Sequence, residues 1–250
     1  MLIADPLFYA LAIPAVLLTG ISKGGFGGAL AGVGVPIMAL AISPVQAAAI
    51  LLPVLCLMDM VGVRAYYRKW DSANLRIMLP GALLGIVGGA LTFGMLSEDA
   101  IPILIGGIAV VFTIVNWLGV AAKQAVAAPS VVKGTLWSAL SGLTSFIAHA
   151  GGPPAMIYLL PQQLEKVRFV ATMSVFFTFV NAVKLIPYAW LGQLSADNLA
   201  TSLVLAPLVP LGVKLGIWLQ NRVNHVWFYR ISTLCLFATG LQLVYQGLVP

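Results

Sequence analysis

The chain has 250 residues, of which 61% are hydrophobic and 8% charged, with a formal net charge of +6. So few charges could not cover the surface of a soluble domain, and a disordered chain needs the opposite balance, so the composition is that of a polytopic all-α membrane protein. At roughly 20 residues per spanning helix, about ten segments fit with short connections; this excludes a separate catalytic or ligand-binding head, and the positive charge reads as the Lys/Arg excess of cytoplasmic loops and not as a nucleic-acid surface.

Apolar runs between polar or breaker residues predict segments near 6–22, 26–42, 45–63, 76–96, 100–122, 134–148, 152–161, 168–187, 198–219 and 226–247. Met1 to Ala10 holds Asp5 and no Lys or Arg, so the first run is expected to be kept and not removed as a signal peptide. Between the first two segments, Ser22 to Pro36 carries six glycines from position 24 to 34. Gly24, Gly28 and Gly32 recur every four residues, which suits close helix packing. The pairs Gly24-Gly25 and Gly27-Gly28 suit a broken helix whose amides, beside Lys23, cradle an anion, and that reading is preferred. In the third segment Asp59 sits between methionines, where a short carboxylate cannot reach the interface. It is a candidate proton-coupling group, or a fixed counter-charge to a lysine such as Lys184.

The seventh segment opens on His149-Ala-Gly-Gly-Pro-Pro154. Pro153 and Pro154 suit the first turn of a helix, so Gly151 and Gly152 would offer free N–H groups to an anion at its start. His149 is either a proton carrier or a donor to the substrate, weighed against a structural histidine. In the eighth segment Asn181 and Lys184 share a face, whereas Lys214 reads as a lysine extending to the interface. Tyr66, Tyr67, Trp70, Tyr188 and Trp190 read as interfacial belt residues. Cys56 and Cys235 form no spaced framework, and no nucleotide or metalloprotease motif occurs, so no metal, cofactor or enzymatic chemistry is expected.

If the chain crosses at each segment, one side collects Lys23, Arg64, Arg68, Lys69, Arg76, Lys123, Lys133, Lys166, Arg168, Arg222 and Arg230, which is 11 of the 13 basic residues. That side should be cytoplasmic, with both termini and the Glu98-Asp99 loop outside. The short second and seventh segments are either full spans or re-entrant hairpins, and the orientation is the same for both. Residues 1–123 and 134–250, joined by 124–133, echo one another: Gly34-Val-Pro36 with Gly152-Pro-Pro154, Asp59 with Asn181, Asn74-Leu75 with Asn198-Leu199, and the spaced pairs Gly85/Gly89 and Gly212/Gly216. Five segments per half require the second copy to be inverted, and the loop charges swap accordingly. Inverted repeats with a cationic balance inside the segments point to a secondary transporter for a small anion, its site at the repeat interface near the midplane. A channel or an uptake permease for another anion is the alternative, and assembly as a homodimer stays open.

At these residues the sequence resembles the TauE/SafE family of sulfite and organosulfonate exporters over nearly its whole length. The likeness is carried by GGFGG and GVGVP, AAAILLPVLCLMD and RAYYRKWD in the first half, then AHAGGPPAMIYLLPQ and FFTFVNAVKLIPY in the second. Phe26 between the glycine pairs departs from the fuller glycine run common in that family. The resemblance implies export of sulfite, sulfoacetate or a similar sulfur oxyanion across the bacterial inner membrane. Lys23, Gly24, Gly25, Gly27, Gly28, His149, Gly151, Gly152, Asn181 and Lys184 are the expected substrate-binding residues, with Asp59 and His149 the candidates for proton coupling.

Overall fold

A computed structural model describes residues 3, 5–92, 100–117 and 126–248. The Glu98-Asp99 loop, Lys123 and part of the 124–133 connection lie outside these residues. Among those described the chain is helical throughout: α1 (Pro6–Phe26), α2 (Gly34–Met38), α3 (Pro44–Ala65), α4 (Ser72–Leu91), α5 (Ala100–Trp117), α6 (Val131–Ala148), α7 (Gly152–Leu159), α8 (Lys166–Trp190), α9 (Ala196–Leu205), α10 (Leu208–Arg222) and α11 (His225–Leu248). Polar caps set the starts. The side chains of Asp5, Ser43, Asp71, Ser130, Glu165 and Ser195 each accept from a backbone N–H in the first turn of α1, α3, α4, α6, α8 and α9. Pro6 and Pro44 add the fixed φ of a helix's opening turn.

Among the described residues α1, α3, α4 and α8 are each long and apolar enough to cross a bilayer, and α9 with α10, bent by 47°, makes a fifth candidate. The protein is a multi-pass membrane protein. Three expected segments differ from single α-helices. Residues 26–42 hold a turn of 3₁₀ helix at Ala31–Val33 followed by the five-residue α2. The ninth segment breaks between α9 and α10, where Pro207 and Pro210 each withhold a backbone donor. The seventh is likewise short, with α7 running into a 3₁₀ turn at Leu160–Gln162.

The packing exchanges partners between halves. The first long helix of the N-terminal half, α1, packs mainly on α10, and its counterpart α6 packs mainly on α4; α5 lies against α11. At the centre α3 and α8 cross the bundle together. They run antiparallel: Asp59 meets Asn181, a side chain at Gly62 would meet Ser174, and beyond the end of α3 Asp71 accepts from Arg168 and donates its N–H to Thr172.

The α1–α10 and α4–α6 contacts are made on glycine. A Cβ on Gly24 or Gly25 would run into the carbonyls of Val213 or Gly216, and one on Gly85 or Gly142 into those of Ala139 or Ala82. Backbone-to-backbone approach is what small residues supply where lipid offers no hydrophobic drive for helices to associate.

Candidate functional site

Burying charge away from water is costly unless every charge is paired or fully hydrogen-bonded. Both solutions occur side by side here. Lys23, in the last turn of α1, places its Nζ 2.6 Å from Asp59 Oδ1, with the two side chains 7% and 1% exposed. Asn181 on α8 donates to the other carboxylate oxygen, Oδ2, at 2.6 Å. The ring of Phe177 lies 5.4 Å from the Lys23 ammonium. A cavity of about 10 Å³, of the order of one water molecule, adjoins the pair, lined by Lys23, Gly27, Asp59, Gly62, Ser174 and Phe177. Asp59 is therefore the counter-charge of Lys23 and not of Lys184. Lys23 itself is inside the bundle and not in a cytoplasmic loop.

One turn along α8, Lys184 is wholly buried and donates to three acceptors: the Ser145 carbonyl at 2.8 Å, Ser145 Oγ at 3.0 Å and His149 Nδ1 at 2.6 Å. His149 Nε2 lies 2.9 Å from the carbonyl of Ala48 on α3. A carbonyl can only accept, so Nε2 bears the proton and Nδ1 shares one proton with the lysine nitrogen. The Lys184–His149 pair is thus one hydrogen-bonded unit that can take up a single positive charge. No carboxylate pairs with it among the described residues. Lys23 and Asp59 neutralise each other, so the Lys184–His149 unit is left without an acidic partner among the described residues.

The glycine breaks frame this centre differently from the preferred reading of the sequence. Gly24 and Gly25 are helical and serve the α10 contact, so packing accounts for them. The break falls at Gly27 and Gly28, both in the left-handed region (φ 64° and 82°), where glycine is free of the Cβ penalty. Gly152 opens α7, and a Cβ there would stand 2.8 Å from the Gly28 carbonyl, so the two broken segments meet at these glycines. What faces the start of α7 at that point is an acceptor. The carbonyl of Gly151 accepts from Ser141 Oγ at 2.6 Å.

The same local geometry recurs in both halves at a spacing of 122 residues, the separation of Asp59 from Asn181. Gly27 and His149 are the left-handed caps of α1 and α6. The N–H after each cap closes the helix end, Gly28 onto the Ser22 carbonyl and Ala150 onto the Thr144 carbonyl. Tyr66 donates to the Gly24 carbonyl at 2.7 Å, and Tyr188 to that of Phe146 at 2.9 Å. Position 23 is Lys in the first half and its counterpart, position 145, is Ser; the cation of the second half comes instead from α8. Asn74 and Asn198 likewise each pair with a glutamine of the other half, Gln162 and Gln46.

Several of these residues were not singled out by sequence. Ser145, Ser174 and the Ala48 carbonyl carry no motif of their own. Tyr66 and Tyr188 are 4% and 6% exposed and face inward, a correction to the interfacial reading, whereas Tyr67 and Trp190 are 59% and 85% exposed. Aligning the halves at Asp59 and Asn181 would have matched the tyrosines to each other. Lys214 is exposed on α10, as expected.

Residues 12–243 match the family model described as sulfite exporter TauE/SafE. No curated protein and no solved structure matches the chain.

Proposed function

The chain belongs to the sulfite exporter TauE/SafE family, a family of membrane transporters, and from that premise we propose that it is a secondary transporter exporting sulfite, sulfoacetate or a similar sulfur oxyanion across the inner membrane. The observation that carries the reading is the buried Lys184–His149 pair, two basic groups with no carboxylate paired to them among the described residues. An anion is the ligand that such a centre lacks. Ser145 Oγ and the lysine ammonium supply charge-assisted donors to an oxyanion, and the glycine breaks beside them let the backbone move aside. Lys184, His149 and Ser145 are all buried and engaged with one another, so binding an anion there requires the helices around the α3–α8 centre to part.

Coupling follows from the second buried pair. Protonation of Asp59 would release Lys23 from its ion pair, so that the charge of this pair changes with the state of the carboxyl. The antiparallel α3 and α8, the recurring caps and the exchanged helix packing support two inverted repeats that alternate access around this point.

The test is flux into proteoliposomes loaded with buffer and challenged with sulfite, sulfoacetate and chloride, with and without a pH gradient. Saturable sulfite or sulfonate flux that responds to the gradient is expected. Lys184→Gln should raise the half-saturating concentration about tenfold or more, the worth of a hydrogen bond to a charged group. Flux that rises linearly with concentration and ignores the gradient would overturn the reading.

A further inference from the structure

Helices α1 and α6 each end in mid-bundle on a left-handed cap, and carbonyls in a last helical turn have no partner within the helix. In each half one of them is taken by a tyrosine at the far end of that half's central helix. Tyr66, the C-cap of α3, holds the Gly24 carbonyl beside Lys23, and Tyr188, near the end of α8, holds the Phe146 carbonyl beside Ser145. Both hydroxyls are buried, and both bonds tie the central α3–α8 pair to a helix packed elsewhere through glycine: α1 on α10, and α6 on α4.

The two ties sit at opposite ends of the bundle. Because α3 and α8 are antiparallel, Tyr66 lies near the Ser174 end of the centre, whereas Tyr188 stacks at 6.1 Å on His149, which reaches Ala48 near the start of α3. We propose that Tyr66 and Tyr188 are paired positioning residues, each hydroxyl holding its own end of the site shut, so that loss of one opens that end and closes the other. The proposal rests on the transporter reading, since only a molecule that alternates between two openings can trade one for the other. It assigns to two residues outside the charged centre the setting of the resting conformation.

The experiment places single reporter cysteines, Ser174→Cys at one end or Ala48→Cys at the other, in the full chain with Cys56 and Cys235 replaced by alanine. Each is combined with Tyr66→Phe or Tyr188→Phe, and the purified protein in detergent is labelled with a hydrophilic maleimide. Tyr66→Phe should raise labelling of the Ser174→Cys reporter about fivefold, the population shift given by one hydrogen bond, and lower that of Ala48→Cys; Tyr188→Phe should do the reverse. Melting temperatures of the variants separate this from general loosening, which raises labelling at both ends. A rise at both reporters, or no change at either, overturns the latch. Sulfite flux measured on the parent chain decides the transporter reading separately: reciprocal labelling without flux removes that reading, and flux without reciprocal labelling removes the latch.

Discussion

Asp59 answers to two groups at once. Its carboxylate pairs with Lys23 through one oxygen, accepts from Asn181 through the other, and lines a water-sized cavity with Phe177 and Ser174. Two roles, coupling group and structural counter-ion, are separable by substitution. Asp59→Asn leaves Lys23 buried without a partner, a loss of about 3 to 5 kcal/mol, so folded yield and melting temperature should fall sharply. Removing both charges in Lys23→Met/Asp59→Asn should recover most of the loss, whereas Lys184→Met/Asp59→Asn should not. In the recovered double variant, flux that no longer responds to a pH gradient identifies the pair as the coupling element; a full response would assign coupling elsewhere. Sequence singled out Lys23, Asp59, His149 and Lys184, because ionisable residues are rare in apolar runs, but not Ser145. Which lysine Asp59 meets was not legible. The choice between Lys23 and Lys184 depends on how far α1 extends before its cap, a matter of a few residues in a glycine-rich stretch.

At the scale of helices, glycine divides into three uses that spacing alone does not separate. Gly27 and Gly28 cap and turn, Gly24, Gly25, Gly85 and Gly142 admit another backbone, and Gly88 and Gly107 have nothing within 4 Å of where a side chain would stand. The four-residue repeat of the first group of glycines is compatible with either packing or breaking, and the partner helix that decides between them lies almost two hundred residues along the chain, in α10. Gly85→Ala and Gly88→Ala, three residues apart on α4, should therefore act in opposite directions. The first drives a methyl into the Ala139 carbonyl and parts α4 from α6, lowering the melting temperature in detergent by several degrees or preventing purification. The second meets open space and gains up to about 1 kcal/mol of helix propensity, so its melting temperature should hold or rise. Equal effects of the two substitutions would mean that the α4–α6 contact does not depend on glycine.

For the whole molecule, ten apolar runs were legible in the sequence, and among the described residues helices occupy nine of their positions as single or broken helices; the remaining run, 26–42, is split by its own glycines. Orientation rests on charge: the Arg64 to Arg76 region gathers four basic residues, while the end of α8 and the start of α9 offer only Asp197. Helix α8 fixes these two regions at opposite faces, since Arg168 pairs with Asp71 at its start and Ser195 follows its end, and its 25 residues span about 37 Å. Ser72 and Ser195 are both exposed and flank α4 and α9 at their first turns. Single cysteines at these positions, in cells expressing a chain with Cys56 and Cys235 replaced, should respond oppositely to an impermeant maleimide added outside. The Ser195→Cys variant should label at once, and the Ser72→Cys variant only after the membrane is permeabilised, which puts the basic region inside. Labelling of Ser72→Cys from outside, with Ser195→Cys silent, would reverse the orientation and with it the direction in which the positive-inside asymmetry orders the repeats.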